Sequence, residues 1–266
     1  MLSKPELQRV IAFGDNLGLP QTLRHVPTAN IAAVVGAAIR PAQHSAIAEL
    51  AASIARPFLV QPSFNSPEYT NFVSQCAAMQ PDGIICNSYS MLLRPDMLAL
   101  VEGRAFNLHA SLLPENPGPN PMQWAIIKGQ EVTGVTLHRM DTGFDTGPII
   151  AQKKVIIEYR DDWLTLKDKI FEATEDLLAE NVTALLTGRY QEFPQPVILP
   201  PNPRISPDSF AINWQEMSDW DIYNLIRAQV TPLAGAYLVV DDGSVRRFPK
   251  MLSLNEIATL RAQYCR

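Results

Sequence analysis

Cysteine is scarce in this chain. Its three residues, Cys76, Cys86 and Cys265, are scattered, with no CxxC pair and no paired spacing. That pattern argues against a disulfide framework and against a zinc cluster, both of which need cysteines at organised intervals, and no metal is expected. Long apolar runs are missing too. No stretch approaches the roughly 20 residues that span a bilayer. The N-terminal MLSKPELQRVIAF offers only a short apolar strand, without the longer core or small-residue cleavage site of a signal peptide. A cytoplasmic protein with no membrane partner is the expectation. Positive charge is also in short supply, with 22 Lys and Arg against 27 Asp and Glu and a formal charge of −5. Covering a nucleic-acid backbone takes clustered cations, and the one dense basic spot is Arg246, Arg247 and Lys250. A G-x-G-x-x-G dinucleotide fingerprint is absent: the first apolar strand runs instead into Gly14-Asp15-Asn16-Leu17-Gly18.

What is present is an ordinary globular composition, 266 residues with 47% hydrophobic and 18% charged, enough for one large domain and a small one. Short runs rich in Val and Ile at 9–13, 30–37, 58–62, 83–88 and 105–109 read as buried strands. Helix-like stretches fall between them: one or two turns over 19–26, an Ala-rich run over 42–55, and a helix to about Met79 opened by Ser66-Pro67. This alternation implies parallel crossovers, hence an α/β fold with a doubly wound, mainly parallel sheet. Ligands of such sheets sit beyond the carboxyl ends of the strands.

After residue 130 the texture changes. Strands are predicted at 133–140 and 148–157, joined by the turn-rich DTGFDTG. A long helix follows from Trp163 to Leu186, with Leu166, Ile170, Ala173, Leu177, Asn181 and Leu185 spaced to face a core and Gly188 ending it. The segment 193–208 carries six prolines and reads as a stiff extended linker. Beyond it come a short helix at about 217–229 and a hairpin turning at Asp242-Gly243. Two domains result, 1–192 and a small α+β unit at 208–266, joined by the linker 193–207.

Asn107 and His109 stand two apart at the end of a predicted strand and so share one face, at the expected ligand edge. SLLPENPGPNP then has to loop over that edge, and Asp145 sits in a glycine-bounded turn where the backbone can approach a ligand. An amide, an imidazole and a carboxylate together suit acyl transfer to an amine. Asn107, and a protonated His109, can donate to the oxygen that becomes an oxyanion. Asp145 can orient His109 and accept a proton directly or through water. No Ser or Cys stands in a recognisable nucleophile elbow, so direct transfer is the simpler chemistry. His138 reads as a packing residue beside the site, and Trp124 and Trp214 as core or interface residues.

These blocks, Asn107-Leu108-His109, Ser111-Leu112-Leu113-Pro114, Gly118, Thr133-Gly134-Val135-Thr136 and Asp145-x-Gly147, in this order and at these gaps, resemble the folate-dependent formyltransferases. That family includes methionyl-tRNA formyltransferase, glycinamide ribonucleotide transformylase and the sugar-nucleotide N-formyltransferases. The likeness is strong over about 80–190 and weak over the N-terminal strands. It implies a Rossmann-like formyltransferase fold, Asn107, His109 and Asp145 as the catalytic set, and 10-formyltetrahydrofolate as donor. It also implies that backbone groups of two loops, Met91, Leu92 and Leu93, and Asp141, Thr142, Gly143 and Phe144 up to Asp145, hold the pterin. One departure stands out. Many relatives carry a basic residue before the loop glycine, whereas this chain has Pro117-Gly118-Pro119.

Three acceptors compete. A tRNA would call for a basic linker and a basic insertion after the second strand, but the corresponding AAIRPAQHSAIAE is short and barely basic. The runs ISPDSFAINW and IYNLIRAQVTPLAGAY resemble the C-terminal segment of sugar N-formyltransferases and favour a nucleotide-linked amino sugar. An amino acid or peptide amine is the third option. Read without that resemblance, IYNLIRA is an amphipathic helix with Ile222, Leu225 and Ile226 packed and Arg227 exposed. A hydrolase that releases formate would need the same three residues, whereas a non-catalytic folate- or nucleotide-binding module would not. A homodimer through the C-terminal part is expected by analogy.

Overall fold

The computed structural model describes residues 6–240 and 242–264, so Cys265 lies outside the described residues. Seven strands form one sheet in the order β3-β2-β1-β4-β5-β6-β7. They are β1 (Val10–Gly14), β2 (Ile31–Ala37), β3 (Phe58–Gln61), β4 (Gly83–Asn87), β5 (Ala105–His109), β6 (Val132–Arg139) and β7 (Ile149–Ile156). The first five run parallel, and β6 and β7 continue the sheet antiparallel. Every residue of β1 and β4 is buried, as expected for central parallel strands covered on both faces.

Strand alternation splits the core into two layers. Val10, Ala12, Val34, Ile85 and Phe106 face one side, and Ile11, Phe13, Ala33, Val35 and Ile84 face the other. The first layer is covered by α1 (Gly18–His25), α2 (His44–Ser53), α5 (Pro121–Ile127) and the long α6 (Trp163–Leu186), the second by α3 (Glu68–Ala78) and α4 (Pro95–Ala99). Helix α6 starts where Asp162 accepts from the amides of Leu164 and Thr165, and its Leu166, Ile170, Leu177 and Leu185 are buried. Gly188, at φ +66°, turns the chain away after it, as the sequence suggested.

The C-terminal part consists of α7 (Asp219–Arg227), the antiparallel pair β8 (Ala236–Val239) and β9 (Val245–Phe248), and α8 (Leu254–Tyr264). Its Phe210, Ile212, Ile222, Leu225 and Ile257 belong to the same hydrophobic layer as α6. Arg227 departs from its expected exposure. It is 2% exposed, donates to the carbonyls of Glu158 (3.1 Å) and Asp161 (2.9 Å), and lies over the rings of Trp220 and Tyr223. A guanidinium tolerates burial when carbonyls and ring faces replace its water. Helices α4, α5 and α8 have no counterpart among the predicted elements. Among the described residues, no helix is long and apolar enough to cross a membrane.

The strand order reverses at β1, with β2 on one side and β4 on the other. Crevices at such a reversal, beyond the carboxyl ends of the strands, are where α/β sheets bind ligands. The ends of β1, β4 and β5 converge there.

Candidate active site

A cavity of about 420 Å³ occupies this place, lined at its reactive end by Asn107, His109, His138 and Asp145. That volume lies within the range of small-molecule sites. Asn107 and His109 come from the C-terminal end of strand β5, and the loop after them is held by the other blocks singled out in the sequence. The Thr136 hydroxyl donates to the Ser111 carbonyl (2.7 Å) and accepts from the Leu113 amide (3.0 Å), and the Ser111 hydroxyl donates to the Glu115 carbonyl (2.6 Å). Gln152 donates to both Leu113 O and Thr136 Oγ1. These bonds fold 111–116 back over the strand end, as its proline content requires of a loop.

Asp145 arrives from the β6–β7 connection. Its φ of +55° is left-handed, a conformation that Asp tolerates better than most residues. Gly147 has no room for a side chain, because a Cβ there would collide with the Arg139 carbonyl. The carboxylate sits between two imidazoles and an amide. Oδ2 accepts the Gly118 N–H at 2.7 Å and lies 3.5 Å from His109 Nδ1. Oδ1 lies 3.5 Å from His138 Nε2 and 3.4 Å from Asn107 Nδ2. Burial pushes its pKa up, but the charges of His109 and His138, the His138 contact and the Gly118 N–H together outweigh that and hold the carboxyl far below the ordinary range.

The two histidines differ in what fixes them. His109 Nε2 faces the Asn116 carbonyl at 2.9 Å, so that nitrogen carries a hydrogen. Its Nδ1 carries one only when the ring is protonated, and at 3.5 Å from Asp145 it keeps that N–H within reach of the cavity. His138, read from sequence as a packing residue, belongs to the cluster. It is 1% exposed, stands opposite Asn107 across the β5–β6 pairing, and lies 3.2 Å from Asn107 Nδ2. Beside it the β6–β7 register shifts, Leu137 facing Ala151 and His138 facing Ile149, the kind of irregularity that re-aims a side chain at an active site.

Of the two loops assigned to the pterin, Met91, Leu92, Gly143 and Phe144 line the cavity. The Leu93 side chain is 6% exposed and packs in the core. Asp141 braces its own loop, accepting from the Gly143 amide (2.9 Å) and the Thr146 hydroxyl (2.6 Å). Thr142 lies between them and is not among the lining residues. The rest of the wall mixes apolar Met122 and Trp163 with the cations Arg40, Lys167 and Arg204. Trp124 bridges to the proline-rich segment through Nε1 and the Pro203 carbonyl (3.0 Å), while Trp214 is core. No group of three or more His, Cys, Asp or Glu that could hold a metal ion occurs among the described residues.

The chain matches the family model described as formyl transferase over residues 15–182. It is 34% identical over 176 residues to the methionyl-tRNA formyltransferase of Thermodesulfovibrio yellowstonii, covering 66% of this chain and 56% of that protein; the match thus spans about half that relative's length. Glycinamide ribonucleotide transformylase 1 from Geobacillus kaustophilus is 28% identical with a TM-score of 0.59, over 68% of this chain and 99% of that one. A sugar N-formyltransferase from a Shewanella species shares the fold, C-terminal part included, with a TM-score of 0.74 at 20% identity over 92% of this chain and 98% of that one. With more than half of its residues inside the matching model, the chain belongs to the formyl transferase family.

Proposed function

We propose that this protein transfers a formyl group from 10-formyltetrahydrofolate to a primary amine, and that the amine is carried by a nucleotide-linked amino sugar. The observation that carries the transfer reading is the convergence of Asn107, His109 and Asp145 at one end of a ligand-sized cavity, each within 3.5 Å of another. The cavity walls suit a reduced folate: Met91 and Leu92 from one loop and Phe144 from the other give them apolar surface. When bound, that donor supplies an electrophilic formyl carbon, and the protein supplies charge and geometry.

When its ring is protonated, His109 can offer an Nδ1–H to the formyl oxygen, which turns negative as the amine adds. Asn107 adds a second N–H by giving up its long 3.4 Å contact to Asp145. Asp145 keeps the imidazolium in place and accepts the amine proton at a carboxylate oxygen. A carboxylate held so low is a weak base, so it holds that proton briefly and passes it to the leaving nitrogen within the same turnover. His138 and the Gly118 amide keep the carboxylate ionised and aimed.

The acceptor reading rests on the cations at the cavity wall. Arg40, Lys167 and Arg204 all line the cavity, and cations there suit a diphosphate, whereas the net charge of −5 disfavours a broad phosphate-binding surface for tRNA. Arg204, from the proline-rich segment, lines the same cavity as Gly118 and Pro119, where the chain lacks the loop cation of many relatives. A panel of amines assayed with the folate donor tests both halves. Turnover on a nucleotide-linked amino sugar above that on initiator methionyl-tRNA, amino acids and peptides is the expected result. A preference for tRNA reverses the acceptor, and rapid formate release without any amine replaces transfer by hydrolysis.

A further inference from the structure

The proline-rich segment, expected to be a spacer, grips both loops of the active site. Phe193 pairs with Ile149 through two backbone bonds of 2.8 Å. Two residues on, the Gln195 carboxamide donates to the carbonyls of Asp145 (2.6 Å) and Gly147 (2.9 Å). Farther along, the Asn202 amide donates to the Pro117 carbonyl (2.8 Å), and its side chain meets Asn116 and Lys128. Pro201 leaves no space beside Gly118, where a Cβ would stand 2.8 Å from the Pro201 Cβ. One end of the segment thus holds the residue that offers the carboxylate, and the other holds the residue whose N–H that carboxylate accepts.

We propose that 193–205 is a strap across the active site, and that Gln195 is a positioning residue that sets Asp145 for catalysis. The physical grounds are threefold. Phe193, Val197 and Ile198 are each about half exposed, and although Ile205 packs against the core, the stretch over the two loops is held mainly by hydrogen bonds. Proline stiffness lowers the entropy lost in holding an extended chain across two loops. Asp145 is left-handed, and a backbone in that region stays there only when its surroundings over-determine it. The two donors of Gln195 land on the carbonyl of Asp145 itself and on that of Gly147, two residues on.

The catalytic half of this inference rests on the formyl-transfer reading; the structural half does not, and the test separates them. In Gln195→Met, which keeps the length of the side chain and removes its donors, hydrogen exchange is followed by mass spectrometry alongside steady-state kinetics. Amides in 116–120 and 141–147 should exchange about tenfold faster, the loss of one or two hydrogen bonds, while β1 and β4 keep the wild-type rate. In the same variant kcat should fall about tenfold or more with the folate KM within about twofold, the pattern of a misaligned catalytic group. Gln195→Glu, isosteric but unable to donate, should behave alike.

Unchanged exchange in both loops overturns the strap. Faster exchange everywhere, β1 and β4 included, in both variants reduces Gln195 to support of the fold and also overturns it. Faster loop exchange with kcat intact, or with only KM raised, overturns the positioning role. If the wild-type protein itself transfers no formyl group, the functional reading fails, and the exchange data judge the strap alone.

Discussion

Asp145 Oδ2 accepts the backbone N–H of Gly118 across 27 positions of sequence at 2.7 Å. This bond joins the two loops that form the reactive end of the cavity. It also explains why glycine stands at 118: its φ of +84° and the contact with Pro201 leave no place for a side chain.

Gly118→Ala should therefore act on both stability and rate. A left-handed alanine costs about 1–2 kcal/mol, and the steric conflict with Pro201 pushes the loop off Asp145. Urea unfolding should show at least that loss, with kcat reduced about tenfold or more. A variant as stable and as fast as wild type would mean the loop does not need this geometry.

The depressed carboxyl of Asp145 makes a signed prediction about acid. Its folded pKa lies below the unfolded value near 3.9, so its stabilisation is complete above about pH 5 and is lost as pH falls towards the folded value. Asparagine has no such titration. Between about pH 5 and pH 3, where unfolded histidine, of pKa about 6.5, is already protonated, the thermal-midpoint gap between wild type and Asp145→Asn should narrow. A constant or widening gap would contradict the pairing with His109 and His138.

Arg227 should matter for stability and not for chemistry. Arg227→Met leaves the Glu158 and Asp161 carbonyls without the donor they have now, at a cost of about 3 kcal/mol. Denaturant unfolding checks the loss, and kcat at a temperature where the variant is folded should stay within about twofold. Loss of kcat in the folded variant would place Arg227 in the catalytic machinery instead.

Much of this arrangement was legible in the sequence, and the exceptions share a cause. Strand periodicity placed Asn107 and His109 at a sheet edge, and the glycine-bounded turn placed Asp145 where the backbone could approach. His138 escaped because its position depends on antiparallel register: it faces Asn107 only through the β5–β6 pairing, which periodicity within one strand does not encode. Gln195 lies 50 positions from Asp145 amid prolines that report stiffness and nothing about partners. Arg227 looked exposed because arginine usually is, and its partners are backbone carbonyls more than sixty positions away. Helix α5 was hidden by Asn120-Pro121, which closes a proline-rich loop and opens the helix at once, Asn120 at φ +60° and Pro121 at the first helical position.

Arg204 offers a direct handle on the acceptor. It reaches the cavity wall from the proline-rich segment, so Arg204→Ala should raise the KM for a nucleotide-linked amino sugar about tenfold, as expected for one charged contact, with kcat little changed. Steady-state kinetics at fixed folate concentration reads this. An unchanged acceptor KM would remove the phosphate contact.

Joint action of Asp145 and His109 on a formyl group is read most directly by single-turnover formyl transfer to the preferred amine of the panel. With 10-formyltetrahydrofolate bound, Asp145→Asn and His109→Ala should each slow the step by about a hundredfold to ten-thousandfold while folding as wild type by circular dichroism. Either variant transferring within about threefold of wild type would contradict the account.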